Sequence, residues 1–416
     1  MADPARKTFL FLQGPHGPYF AMLADALRAR GHAALRININ GGDKVDWPGE
    51  GATDYRGTFR NWPLFFDDFI VREGVTDLIL YGDCRPYHTS AHKMARLRGL
   101  RVHVFEEGYI RPDFMTLQKD GVNGNSTLPL NPAWYLEQAR GLPDIDPALP
   151  AIPSTFRARA RNTMRNGLAA ATMRFRFPFY RTHRPHSFLL ESIAWCLKLI
   201  ARGGDRRESA EQWERVKDKP YFTLPLQLNS DYQIRVHSPF GNMRAALRFV
   251  IKSFAHHAPE DTYLVVKRHP LDAGLVRWRR LTRRLARQYG VGDRVVYLSD
   301  LDISAVVNQS LGVVTVNSTV GTLSLNNGKP VVVLGDAVYK VPGMVHGSSL
   351  DTFWAAPQAP DMALYSAFRR VLMKECLIRG GLLSEEGLQM LVDNAVARLA
   401  GPAPALSRPR LARSTG

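Results

Sequence analysis

GVVTVNSTVGTLSLNNGKPVVVL, residues 312–334, holds one complete strand–helix–strand unit. Gly312 to Val316 is a short β-branched run and reads as a buried strand. Residues 320–327 suit a helix, and Pro330 to Leu334 reads as the next strand. Two apolar strands joined through a helix lie parallel, because a crossover returns the chain to the same edge of the sheet. The same alternation extends outward. Tyr221 to Leu226, Tyr263 to Lys267 and Val295 to Tyr297 read as strands, with helices at 241–256, 275–288 and 302–309. The first part of the chain repeats it, with strands at 8–13, 33–39, 77–81 and 101–105 and helices at 20–30, 61–72 and 90–98. The expected fold class is therefore α/β, with two Rossmann-like doubly wound domains facing a central cleft.

The expected partition is an N-terminal domain at 1–149, a basic aromatic insert at 150–215 and a C-terminal domain at 216–360. The boundary between halves falls near 205–218. Helices at 361–376 and 384–399 occupy the segment 361–400, and a disordered tail follows at 401–416. In the insert, eight arginines and no acid lie between Arg157 and Arg184, interleaved with Phe175, Phe177, Phe179 and Tyr180. Ser187 to Arg202 then reads as an amphipathic helix. Such a stretch suits an anionic membrane surface; it equally suits an insert that packs its aromatics inward.

Length and composition bound the rest. The 416 residues are 45% apolar and 22% charged, which excludes wholesale disorder. The charge of +17 points to a polyanionic partner: nucleic acid, nucleotide phosphate or anionic lipid. No nucleic-acid motif accompanies it, so a nucleic-acid partner is not expected. Cys84, Cys196 and Cys376 are far apart and form no CxxC, so neither a zinc site nor a disulfide framework is expected. Cys84 has no evident His partner. No run of about 18 apolar residues occurs, and the apolar run near the start is too short for a signal segment. A cytoplasmic protein with peripheral membrane contact is expected.

Ligands of doubly wound sheets sit outside the carboxyl ends of the strands, so residues just after strands are the candidates. Glu106, Glu107 and Gly108 follow the strand at 101–105. Adjacent carboxylates resist joint ionisation, so one is suited to trade protons; a solvated acidic turn is the other reading. Lys267, Arg268, His269 and Pro270 put cations and an imidazole at one strand end, fit for a phosphate or a pyrimidine nucleotide. Asn317, Ser318 and Thr319 open a helix after a strand, where hydroxyls and free N–H groups favour an anion. Gln227 and Asp231 bring an amide and a carboxylate to the same edge, Asp231 as nucleophile, as electrostatic stabiliser or in a simple Asx turn. Gln13, Gly14, His16 and Gly17 form a glycine loop read as substrate-facing.

FLQGPHGPYF, FEEGYIRPDF, PLQLNSDYQIRVHSPF, VVKRHP and NSTVGTLSLNNGKPVVVLGDAVY occur in this order between about residues 8 and 345. Together they resemble the capsule polysaccharide synthesis family, in particular its β-Kdo transferases of the KpsS/LipB type. The resemblance implies a GT-B-like fold, a CMP-Kdo donor and no cofactor or active-site metal. It implies transfer of the first Kdo of the capsule linker to lyso-phosphatidylglycerol at the inner membrane, beside KpsC-type transferases and the capsule export machinery. Carried over residue by residue, His269, Pro270, Ser318 and Thr319 would hold CMP, and Glu106 would be the acid/base. Asp231, in a Gln-x-x-x-Asp spacing with Gln227, would be the nucleophile of a retaining reaction. A non-catalytic export or assembly factor is the alternative.

Overall fold

Two separate sheets carry the expected alternation. The computed structural model describes residues 6–111, 113–145, 149–182, 188–229 and 231–401. The expected tail beyond Gly401, and Arg184 and Ser187 of the insert, lie outside them. The first half contributes β1 (Thr8–Phe11), β2 (Ala33–Asn38), β3 (Ala52–Asp54), β4 (Asp77–Tyr81), β5 (Arg101–Glu107) and β6 (Phe114–Lys119). The second contributes β7 (Tyr221–Pro225), β8 (Tyr263–Lys267), β9 (Val295–Leu298), β10 (Gly312–Thr315) and β11 (Val331–Val333), and β12 (Leu377–Arg379) follows.

The sheet orders are β12-β6-β5-β4-β1-β2-β3 and β11-β10-β7-β8-β9. Read from β3 and from β9, both run 3-2-1-4-5, and those core strands are all parallel. This is the doubly wound arrangement of the expected GT-B-like architecture. It makes a topological switch point between β1 and β4 in one half and between β7 and β10 in the other. Near-continuous burial of the strands, such as Phe9, Leu10, Phe11, Leu78, Ile79 and Leu80, shows that helices cover both faces.

Three details depart from the sequence reading. β5 does not stop at Phe105; Glu106 and Glu107 are its last residues, paired antiparallel with Thr116 and Met115 of β6. A Cβ at Gly108 would overlap the Phe114 carbonyl, so that turn admits only glycine. β12 pairs antiparallel with β6, and the helix Glu385–Ala400 lies on the helix Tyr19–Arg28. Leu391, Val392, Val396 and Leu399 thus join the core around Phe9 and Phe11, each worth about 1.5–3 kcal/mol of burial. The end of the chain therefore completes the first half.

The third detail is the insert, which divides between the halves. Its helix Phe156–Thr172 lies over the carboxyl edge of the first sheet, with Arg165 on Asp46 at 2.7 Å and Arg159 on Glu107 at 3.1 Å. Arg176 just beyond it pairs with Asp54 at 2.7 Å. Part of the basic charge is thus spent inside the molecule. The expected helix ending at Arg202 continues to Glu214, through much of the interval expected as a boundary. Its second part is held on the other half: Asp205 meets Arg268 and Arg279, and Glu208 meets Arg279 and Arg283.

Candidate active site

The carboxyl ends of the two sheets bring Glu106 and Asp231 into electrostatic reach of one another. Glu106 ends β5. Burial, reinforced by the Glu107 and Asp231 charges, pushes its carboxyl up to about 7. One of its oxygens accepts from the Glu107 N–H at 3.0 Å. Glu107 is half-buried, and desolvation opposes its charge, but Arg111 at 2.8 Å and Arg159 at 3.1 Å outweigh it and hold Glu107 below the usual carboxylate range. The adjacent pair is therefore split, with one carboxyl poised near neutrality and one kept ionised.

Asp231 caps the short helix Tyr232–Arg235, one oxygen accepting from the Gln233 N–H at 2.9 Å. Burial raises its pKa, against that hydrogen bond and the Arg111 charge. The cap fixes one oxygen and orients the other. Gln227 and Asn317 form a buried amide clamp across the β7/β10 switch point: Gln227 Nε2 donates to Asn317 Oδ1 at 2.9 Å, and the Asn317 N–H donates to Gln227 Oε1 at 3.2 Å. Asn317 also donates to the Gln233 and His237 carbonyls. Both amides are thus positioning groups, locking the Asp231 loop to the Ser318 loop.

His269 is pushed down to about 4, first by burial and then by Arg111. It is neutral at physiological pH. Its Nδ1 accepts from the Leu271 N–H at 3.1 Å, so the proton sits on Nε2, a neutral donor. Lys198 holds the same loop, donating to the Pro270 and Asp272 carbonyls at 2.6 and 2.7 Å. Lys267 donates to the Arg268 carbonyl at 2.9 Å, and burial lowers it to about 8. The Arg268 guanidinium is engaged by Asp205 at 3.0 Å. Ser318 Oγ accepts from the Val320 N–H at 3.2 Å, while Thr319, at the helix N-cap, makes no side-chain cap bond.

The glycine loop is placed differently from its reading as substrate-facing. Gln13 bonds Asp43 and Tyr180, His16 meets Thr163 at 3.3 Å, and a Cβ on Gly17 would lie 2.7 Å from Asn162. The insert helix covers this loop. Arg85, Arg111 and Arg159 surround the carboxylates, and sequence reasoning assigned them no role. Arg85 and Arg111 follow strands and were findable by position; nothing local marks Arg159. The halves also touch directly, Thr322 Oγ1 donating to the Tyr109 carbonyl at 2.9 Å.

A family model described as capsule polysaccharide biosynthesis protein matches residues 76–382. The chain is 34% identical over 372 residues to the capsule polysaccharide export protein KpsS of Escherichia coli, covering 88% of this chain and 94% of that protein. It is 33% identical over 386 residues to the capsule polysaccharide modification protein LipB of Neisseria meningitidis serogroup B, covering 91% and 92%. Among solved structures it is similar to Thermosulfurimonas dismutans KpsC, a beta Kdo 2,7 transferase. That likeness has 15% identity, a TM-score of 0.45 and coverage of 93% of this chain and 99% of that one.

Proposed function

We propose that this chain, which belongs to the capsule polysaccharide biosynthesis family, is a retaining β-Kdo transferase that uses CMP-Kdo to place the first Kdo on a lyso-phosphatidylglycerol acceptor. The observation that carries the reading is that Glu106 of one half and Asp231 of the other lie within electrostatic reach of one another, with a neutral His269 within reach of Glu107. Asp231 attacks the anomeric carbon of Kdo as its bond to the CMP phosphate breaks, giving a covalent glycosyl-enzyme. Glu106 then takes the proton of the acceptor hydroxyl, whose oxygen displaces Asp231. Two inversions retain the configuration. The Nε2–H of His269 and the Ser318 and Thr319 region would hold CMP, and Arg85 and Arg111 put positive charge at the same edge, which suits an anionic donor.

Mass spectrometry of the purified protein with CMP-Kdo generated in situ and a lyso-phosphatidylglycerol analogue tests this. A product heavier by one Kdo is expected; intact CMP binding without product overturns it. The name of the E. coli relative, an export protein, favours a second reading as a non-catalytic assembly factor, which predicts no release of CMP. His269→Ala is expected to weaken CMP binding about 10–100-fold by loss of a buried donor. Unchanged affinity in calorimetry would count against the CMP site.

A phospholipid acceptor requires contact with a membrane surface, and among the described residues no helix is long and apolar enough to cross one. Leu189, Ile193, Leu197 and Ile200 form one exposed stripe on the helix Phe188–Glu214, with Ile200 81% exposed. Arg202 and Arg206 are exposed on the same helix, and Phe175, 83% exposed, lies in the same insert. Apolar residues accompanied by arginine suit an anionic interface. The double change Leu197→Glu and Ile200→Glu is expected to cut binding to phosphatidylglycerol vesicles at least about tenfold while leaving CMP affinity intact. Equal cosedimentation would remove this surface from consideration.

A further inference from the structure

Cys84, which by sequence has no histidine partner, meets one from the other half. Its Sγ lies 3.2 Å from His237 Nε2 and 3.2 Å from Asp83 Oδ1. Asp83 and Cys84 follow β4 at the first switch point; His237 follows the Asp231 segment at the second. Asp83 and His237 are both 4% exposed, and Cys84 is half-buried. The three ligand atoms lie within 4.8 Å of one another.

We propose that Asp83, Cys84 and His237 form a site for a divalent cation of the zinc class that joins the two halves. The donor set of thiolate, imidazole and carboxylate is one that zinc accepts, with water in the fourth position. Tetrahedral zinc sets its sulfur and nitrogen ligands about 3.6 Å apart, so the side chains need to part by only a few tenths of an ångström. The second shell is already built. Asp83 Oδ2 accepts from the Val122 N–H and from Asn125 Nδ2, each at 3.1 Å, which leaves Oδ1 turned to the sulfur. The Nδ1 edge of the His237 ring lies against Gly124, where any Cβ would collide, so the ring presents Nε2 to Cys84. The His237 carbonyl accepts from Asn317 Nδ2 and the Asp336 N–H, fixing its backbone.

Between Cys84 and His237 there is otherwise only a weak thiol hydrogen bond, which returns little for burying an imidazole. On binding, the Cys84 thiol releases its proton to solvent, and Sγ, Nε2 and Oδ1 each donate a lone pair. The site lies within electrostatic reach of Glu106 and Asp231, but the proposal does not rest on the reaction assigned to them.

The metal-stripped full chain, titrated with Co²⁺ and then with Zn²⁺, tests it. One Co²⁺ per chain with a thiolate-to-cobalt absorption band is expected, displaced by Zn²⁺ with release of about one proton. Zn²⁺ should raise the Tm, because its ligands come from both halves. Cys84→Ser should abolish the band and the Tm shift. Asn125→Ala, which removes the amide that donates to Asp83 Oδ2 and lies 3.8 Å from Cys84 Sγ, should weaken binding about 10–100-fold. Cys196→Ser, at the exposed cysteine, should change neither. A cobalt spectrum without a thiolate band, or equal Zn²⁺ affinity in Cys84→Ser, would overturn the site.

Discussion

Asp231→Asn is expected to lower Kdo transfer by about 10⁴-fold or more, the scale of losing a nucleophile. CMP affinity should stay within about twofold of the parent, since an amide here removes charge but no phosphate contact. The substitution isolates chemistry from folding. Asn is as good an N-cap as Asp, so it can still accept from the Gln233 N–H that Asp231 now engages. The amide clamp between Gln227 and Asn317 does not involve this side chain. Single-turnover assays with CMP calorimetry on the same preparation decide the matter. Loss of transfer with an equal loss of CMP affinity would show that Asp231 binds donor rather than attacks it.

Glu106→Gln should cost about 10²–10⁴-fold in transfer, the usual worth of a positioned general base. Because burial has pushed Glu106 up to about 7, the parent rate should rise with pH through that value as the base loses its proton. The variant should lack this limb. Glu107 cannot substitute as a titrating base near neutrality, since Arg111 and Arg159 keep it ionised. Stability follows with the opposite sign to activity. A carboxyl whose folded pKa is raised favours the fold while protonated, below its unfolded value near 4.5. That contribution is lost as pH rises through about 7. Glu106→Gln should therefore raise the Tm at pH 8 more than at pH 5. A parent profile flat between pH 6 and 8, or a variant that keeps the limb, would remove Glu106 from the base role.

Most of the parallel strands were legible because they are apolar runs bounded by turns and buried on both faces; β6, which mixes Thr, Gln and Lys among its apolar residues and pairs antiparallel, was not read as a strand. The edge strands β3 and β12, at three residues each, are too short to show any period, and their pairing depends on where distant segments lie. β5 was read two residues short because Glu106 and Glu107 are poor strand formers in isolation; their partners on β6 hold them in the ladder. The same extension brings Glu106 to the cleft edge, where burial tunes it.

Local pattern thus determined the α/β class, the two halves and the strand ends where Glu106, Asp231, His269 and Ser318 lie. Such features repeat within a few residues along the chain, and a strand's carboxyl end can be found without knowing its neighbours. Tertiary structure alone decided which of them meet and in what charge state. Arg159 reaches Glu107 across 52 residues, and His237 reaches Cys84 across 153. The split of the Glu106–Glu107 pair, the neutrality of His269 and the covering of the glycine loop by the insert all follow from desolvation and charge brought from elsewhere in the chain. Those terms depend on distance through space, which periodicity along the sequence does not carry.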